Sequence, residues 1–267
     1  MLRTIFQKEL RDQRYGLLWW CGALVAYVIV MCAVYPSVRA NERALSQLLN
    51  AMPPAFKDFV LGQAGDFFSP SGYLGARLFA LLSPLILLIY AVGAGTRAVA
   101  GEEDAGTLSL LLAYPLSRRR LLIEKYLAVL TGVAIVTLAH LVGLLIGTAA
   151  VGMDVSVARL LQASLSIGVL GALGASLAFA AGSAGARRGT ATAAAAGLLL
   201  VTYLLETIAL LVKSLGWLHR LSFFHYYGGA QVMQSGLSSA HVAVLLAIIV
   251  VCLAVAFRSF ERRDIRL

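Results

Sequence analysis

The residues best suited to bind a partner lie between Arg97 and Lys125, in a charged interval flanked by strongly apolar segments. An acidic triplet occupies Glu102–Asp104, and a basic triplet occupies Arg118–Arg120. Charged side chains of both signs at a water-facing surface can pair with complementary groups of a second protein. We therefore predict that this interval is a docking loop.

A short helix with one apolar face is predicted inside the loop. Thr107 can cap its first turn, and Leu108, Leu111 and Leu112 share one face at i, i+3, i+4 spacing. Pro115 ends the helix, because proline disfavours helical geometry at the preceding residue. A helix this short is unstable alone in water. The membrane surface or a partner must therefore cover its leucines.

A second helix is predicted to begin at the basic triplet. Ser117 can cap its first turn, and the helix then runs past Lys125 into an apolar segment. A rigid helix of this kind can transmit a push from the loop into the membrane.

Glu206 and His140 are ionisable residues inside apolar segments, where such groups are costly and are candidates for function. His140 is either a functional group or a neutral imidazole hydrogen-bonded to a neighbouring helix. Glu206 has Thr202 four residues before it, and it either lines a polar pathway or reaches the outer interface. His140, Thr202 and Glu206 are the predicted pathway residues.

Sequence motifs for enzymatic chemistry are absent. The chain has no GxxxxGK[ST], which cradles ATP phosphates, and no HExxH or GxSxG. His219, His225 and His241 have neither tight metal-ligand spacing nor clustered acids, so no metal site is predicted. Any energy from ATP must therefore come from another chain.

Composition places these residues in a membrane protein. Of 267 residues, 60% are hydrophobic and 13% are charged, and the mean hydropathy is +0.84. Crossing an apolar core takes about 20 helical residues. Six segments meet this need: about Leu17–Tyr35, Leu78–Gly95, Tyr126–Val151, Leu160–Ser183, Ala191–Val212 and Val242–Phe257. We predict an all-α integral membrane protein with one transmembrane domain over residues 1–267.

The basic residues predict the orientation. Most of the 22 lysines and arginines lie on one side if both termini are cytoplasmic, as the positive-inside rule requires. The predicted location is the cell membrane, with the 98–125 loop in the cytoplasm. The net charge of +9 is then a signal of topology and of attraction to membrane lipids, and no nucleic-acid partner is predicted.

The first 15 residues are predicted to form an amphipathic helix on the inner surface, with Ile5, Phe6 and Leu10 among its apolar residues. Glu9 interrupts the apolar face. It either pairs with the arginines at 118–120 or lies at the wet edge of a plain interfacial anchor.

Residues 36–72 form the longest segment predicted outside the membrane. It contains two short helices, about residues 38–49 and 56–60, separated by a turn at Met52-Pro53-Pro54. This segment either gates a pathway or caps the helix bundle.

Two spans carry local packing signals. Ser83-Pro84 predicts a kink in the second span. Gly174, Ala178 and Gly182 place small residues four apart in the fourth span. Such spacing permits close helix contact, either within one chain or between two.

The loop carries a family resemblance. The loop resembles the signature between the second and third spans of type-2 ABC exporter permeases. The residues that match are Gly101-Glu102-Glu103, Gly106-Thr107-Leu108, Leu111-Leu112-Ala113, Pro115, Ser117-Arg118 and Lys125. Lys8-Glu9-Leu10, Phe223–Tyr227 and Phe260–Ile265 also resemble that family, with weaker specificity.

The resemblance implies a six-span permease whose residues 1–15 form an elbow helix and whose loop contains a coupling helix. It implies a dimer, preferably a homodimer, with two soluble ATPase subunits that bind ATP and Mg²⁺, and no cofactor in this chain. The residues implied in docking and coupling are Glu102, Glu103, Asp104, Gly106, Thr107, Leu108, Leu111, Leu112, Pro115, Arg118 and Lys125. Closure of the ATPases would rock the two permeases about the fourth and fifth spans and export a drug, lipid, peptide or similar substrate.

Two other classes of function remain open. A passive channel or assembly scaffold would have neither ATP dependence nor an ATPase partner. A membrane-embedded enzyme acting on lipids would use Glu206, His140 or the outer histidines, and it would turn over without nucleotide.

Overall fold

The structure is a computed structural model that describes residues 4–51, 67–108 and 117–263. Helices dominate these ranges, and no strand occurs in them. The helices are α1 (Ile5–Ala40), α2 (Glu42–Ala51), α3 (Pro70–Asp104), α4 (Arg118–Val151), α5 (Val157–Ser183), α6 (Arg188–Leu211), α7 (Phe223–Tyr227), α8 (Gln231–Ser235) and α9 (Ser239–Arg262), with a 3₁₀ helix at Lys213–Leu221 between α6 and α7.

The predicted set of six spans is confirmed for the described residues. Six helices there, α1, α3, α4, α5, α6 and α9, are long and apolar enough to cross a membrane. They contain 24 to 36 residues, which corresponds to roughly 36–54 Å at 1.5 Å per residue. An apolar core is about 30 Å thick, so the longer helices extend beyond it. Most helix ends lie outside the predicted bounds because polar residues continue the helices beyond the apolar segments. The C-terminal ends of α4 and α5 are the predicted Val151 and Ser183, and α6 ends at Leu211, one residue before the predicted Val212.

The first helix is continuous. Thr4 caps it by accepting a hydrogen bond from the Gln7 backbone at 3.2 Å, and residues 5–15 run without a break into the apolar part. Pro36 lies inside the helix, which ends at Ala40. In residues 4–51, therefore, the structure does not distinguish a separate elbow helix, and the elbow stays a prediction.

The predicted outer segment at 36–72 is described only in part. Residues 36–40 belong to α1, and α2 forms the first predicted short helix after Asn41. The second predicted helix, about residues 56–60, lies outside the described residues.

The predicted kink in the second span is present. The helix is interrupted at Ala80 and Leu81 and resumes at Leu82. Ala80 keeps helical backbone angles, whereas Leu81 has φ −145° and ψ −57°. Proline clashes with the carbonyl four residues earlier. For Pro84 that carbonyl belongs to Ala80, so proline explains the position of the break.

The fourth span, α5, is the centre of the bundle. It packs against α3, α4, α6 and α9. In its apolar 18-residue stretch 67% of the residues are buried, against 22% in the corresponding stretches of α1, α6 and α9. A Cβ added at Gly182 would lie 3.2 Å from the Cβ of Ala100 on α3. The small residues of α5 therefore serve packing within one chain, which decides between the two alternatives.

Candidate coupling site and a polar cluster at the opposite end

The acidic triplet lies where α3 ends, beside the first turns of α1 and α4. We call this end of the bundle the loop end. Glu102 accepts a hydrogen bond from Lys8 of α1 at 2.9 Å and another from Lys125 of α4. Only 12% of its side chain is exposed. Glu102 therefore connects three helices.

Lys125 is the centre of this ion-pair cluster. Its side chain is fully buried, and its Nζ donates to Glu9 at 2.6 Å as well as to Glu102. A buried ammonium is costly unless it is paired, and these two carboxylates provide the pairing. Both sequence-based alternatives for Glu9 are therefore wrong: its partner is Lys125, rather than the arginine triplet or water.

The start of α1 is also held by α4. Glu124 accepts hydrogen bonds from the backbone N–H groups of Ile5 at 2.9 Å and Phe6 at 3.4 Å. Free N–H groups at a helix N-terminus favour a carboxylate. Arg120 donates to the other oxygen of Glu124 at 2.9 Å. Sequence reasoning did not assign this role to Glu124, because nothing local marks which helix end a distant carboxylate will meet.

The other two acids of the triplet also contact this chain. Glu103 forms a two-pronged ion pair with Arg263 after α9, one bond of which is 2.8 Å. Asp104 accepts a hydrogen bond from the Arg188 backbone at the start of α6 at 3.0 Å. All three carboxylates therefore have partners within the chain, and their predicted contact with another protein stays a prediction.

The arginine triplet joins α4 to the end of α9. Arg118 donates to the carbonyls of Phe260 at 3.3 Å and Arg263 at 2.7 Å. Carbonyls at a helix C-terminus have no partner within the helix, so Arg118 satisfies them. Arg119 pairs with Glu261, with one contact at 3.3 Å.

The docking loop is described at its two ends. Ser117 caps α4 by accepting from the Arg120 backbone at 3.3 Å, as predicted. Gly106 has φ +69°, a left-handed geometry that favours glycine. Thr107 donates to the Glu102 carbonyl at 3.2 Å. Leu108 is buried, whereas Leu111, Leu112 and Pro115 lie outside the described residues.

Contacts at the loop end connect several helices to one another. Ion pairs and helix-end hydrogen bonds connect α1, α3, α4, α6 and α9 there. A force applied to the loop would therefore act on several membrane-crossing helices at once.

His140 contacts a neighbouring helix, which is one of the two alternatives that the sequence left open. Its side chain is fully buried, its Nε2 lies 3.2 Å from the Ser83 hydroxyl on α3, and its ring packs edge-on against Phe79 with centroids 5.4 Å apart. These contacts favour a neutral imidazole that holds α3 to α4.

Thr202 anchors the segment after α6. Its hydroxyl donates to the Leu199 carbonyl at 2.9 Å, and its own carbonyl accepts from the Ser222 hydroxyl at 2.8 Å. Ser222 also caps α7, accepting from the backbone of Phe224 at 3.1 Å and His225 at 3.4 Å. Thr202 thereby helps to fix the position of His225.

Glu206 lies among histidines at the opposite end, which we call the far end. Its Oε1 is 3.0 Å from Nδ1 of His219 and 3.9 Å from Nδ1 of His225. The three residues line a cavity of about 220 Å³ with Tyr203 and Phe224. The sequence shows no acids clustered with these histidines, but the 3₁₀ helix and α7 fold back over the end of α6 and bring Glu206 beside His219 and His225.

The electrostatics of this far-end cluster favour neutral histidine at His225. Burial lowers the pKa of the His225 imidazole, and this effect exceeds the opposing influence of the Glu206 carboxylate. Neutral imidazole has a free ring nitrogen that can accept a proton or bind a metal ion.

Comparisons with known proteins agree with this architecture. Residues 3–265 match the family described as "ABC-2 family transporter protein". A relative from Pseudomonas aeruginosa, "Probable ABC transporter permease protein NosY", is 35% identical over 161 residues, covering 56% of this chain and 55% of the relative. The match thus spans about half the length of that relative. Because the family match covers nearly the whole chain, the protein belongs to the ABC-2 family of transporter proteins.

Proposed function

We propose that this chain is the membrane-spanning permease subunit of an ABC exporter, driven by a separate ATPase that docks on residues 98–125. The observation that carries the proposal is the ion-pair cluster of Lys8, Glu9, Glu102 and Lys125. It ties α1, α3 and α4 together through two residues of the 98–125 segment, Glu102 and Lys125. A partner that pushes the loop could therefore move the helices that would form the transport path.

The proposed orientation places the loop end in the cytoplasm. Ile5 and Arg263, close to the two ends of the chain, both contact α4 at this end, which supports two termini on the same side. Arginines are concentrated there, as the positive-inside rule expects. ATP and Mg²⁺ would bind the ATPase, and two ATPases would serve a dimer of this permease.

The proposed substrate is largely apolar, such as a drug, lipid or lipophilic peptide. A groove of about 540 Å³ lies between α3 and α6. Leu85, Ile89 and Leu200 line it, with Thr96 and Arg188 towards the loop end. A second permease copy facing this groove would enclose an apolar path across the membrane.

Purification of the tagged chain from its native membrane in mild detergent tests the proposal. Intact-mass measurement should identify a soluble partner with a phosphate-binding loop in a fixed ratio, and the eluate should hydrolyse ATP. The double variant Leu111→Asp, Leu112→Asp should lose that partner, because two charges would disrupt the apolar face predicted to dock.

Leu48→Asp supplies the matched control. Leu48 is an exposed leucine on a short helix, α2, and its change should leave the partner bound. If the double variant kept both the partner and the ATP turnover of the unmodified complex, the docking role of this loop would be refuted. A chain that elutes alone and supports no turnover would favour a channel or scaffold.

A further inference from the structure

We propose that Glu206, His219 and His225 form a binding site for a divalent transition-metal ion of the Zn²⁺ class. The site joins three elements at the far end: Glu206 near the end of α6, His219 in the 3₁₀ helix and His225 in α7. Glu206 lies 18 residues after Arg188, so it is roughly 27 Å along α6 from the loop end. The site is therefore separate from the coupling site, and it does not depend on the proposed function.

The distances fit a shared ion. One ligand atom from each residue lies within 4.8 Å of the other two. Zn²⁺ binds imidazole nitrogen and carboxylate oxygen at about 2.0–2.2 Å, so neighbouring ligand atoms in a tetrahedral site are roughly 3.3 Å apart. The Nδ1–Oε1 distances of 3.0 and 3.9 Å bracket that value. Small side-chain movements would complete the geometry.

Unsatisfied atoms point to a cation. Among the described residues, neither Oε2 of Glu206 nor Nδ1 of His219 has a hydrogen-bond partner, although both atoms are buried. The His219 nitrogen is 3.0 Å from Oε1 of Glu206, but the contact lacks hydrogen-bond alignment. Buried polar atoms without partners are costly. A cation held by Oε1 of Glu206 and Nδ1 of His219 would accept a lone pair from that nitrogen, and it would offset the charge of the buried carboxylate.

The donor set selects the class of metal. Two imidazoles and one carboxylate suit Zn²⁺ and related divalent ions, whereas Ca²⁺ and Mg²⁺ prefer oxygen ligands alone. Three protein ligands leave one position of a tetrahedral ion open to the 220 Å³ cavity. Water would occupy that position.

Titration with Zn²⁺ against a chromophoric chelator tests the site, using full-length protein without a polyhistidine tag. The unmodified protein should bind one Zn²⁺ per chain. Glu206→Gln, His219→Asn and His225→Asn should each weaken binding by at least about 10- to 100-fold, the usual cost of losing a residue that only hydrogen-bonds to a metal ligand. Each variant is first checked for a monodisperse elution profile and an unchanged helical spectrum.

His241→Asn is the matched control. The His241 ring packs against His225 with centroids 5.2 Å apart, yet His241 is not a member of the ligand group. Its change should leave Zn²⁺ affinity unaltered. Equal losses in His241→Asn and His225→Asn would refute the three-residue assignment.

Co²⁺ substitution gives a readout that needs no variant. Co²⁺ bound to the unmodified protein should show the intense visible absorption of a four-coordinate ion, and Zn²⁺ should displace it. Absorption no stronger than that of aqueous Co²⁺, or no binding of either metal, would overturn the proposal.

Discussion

At the scale of single residues, Lys125 is the position where the fold depends most directly on charge. The lysine is fully buried between Glu9 and Glu102. Removing one partner of a buried ion pair costs about 3–5 kcal/mol, because it leaves charge buried without compensation. We predict this loss of stability for Lys125→Met, measured as thermal unfolding in detergent by size-exclusion chromatography.

Two further variants separate this effect from a general loss of packing. Lys125→Met combined with Glu9→Gln should recover part of the stability, because one uncompensated carboxylate is removed. Lys8→Met should change stability by less than about 1 kcal/mol, since Lys8 is 39% exposed and exposed pairs contribute little. If Lys125→Met were as stable as the unmodified protein, the ion-pair cluster would have no structural role.

The same residues show what the sequence could and could not predict. Glu9 and Lys125 were both marked as candidates, but 116 positions separate them. No local pattern in the sequence connects residues so far apart, so the predicted partner of Glu9 was wrong. The proximity of Glu206 to His219 and His225 could not be predicted for a similar reason, because it exists only after the chain folds back from α6 to α7. Charge reversal at Glu102, an obvious test of docking, would also break the cluster that holds α1, α3 and α4.

At the scale of helices, the contact between α3 and α5 depends on Gly95. A Cβ added at this position would lie 2.3 Å from the backbone oxygen of Ala175. We predict that Gly95→Ala forces the helices apart and destabilises the protein by about 1–3 kcal/mol, the usual cost of overpacking. Thermal unfolding of the purified variant measures the loss.

Gly93→Ala is the internal control on the same helix. A Cβ at Gly93 meets nothing within 4 Å, and alanine in a helix is more stable than glycine by roughly 0.5–1 kcal/mol. Gly93→Ala should therefore unfold at the same or a higher temperature. A Gly95→Ala protein that matched it would show that α3 and α5 can separate at no cost.

The membrane-spanning helices were the feature of this structure that the sequence predicted best. Apolar runs long enough to cross a membrane identified six spans, and Ser117 and Pro84 marked a start and a break that the structure contains. Packing partners were not predictable, because a stripe of small residues on α5 fits any close neighbour. Its neighbours belong to the same chain, so an interface with a second copy would lie on another helix.

At the scale of the whole molecule, we predict that α6 contacts a second copy of this chain. Gly189, Ala193 and Gly197 repeat at four-residue spacing on its exposed face, and a Cβ at either glycine meets nothing within 4 Å. Small residues at this spacing allow two helices to approach closely. The same helix borders the apolar groove with α3. A dimer that meets at α6 would therefore place two such grooves face to face.

Disulfide cross-linking tests this arrangement in native membranes. In a background without Cys21, Cys32 and Cys252, Gly197→Cys should form a covalent dimer under mild oxidation, because a disulfide requires Cα atoms about 4.4–6.8 Å apart. Leu127→Cys is the control: Leu127 is exposed on α4 and lies nine residues from the start of its helix, as Gly197 does on α6. It faces lipid in the proposed dimer and should stay monomeric. A dimer formed through Leu127 but absent at Gly197 would place the seam elsewhere, and the two grooves would then not form a shared path.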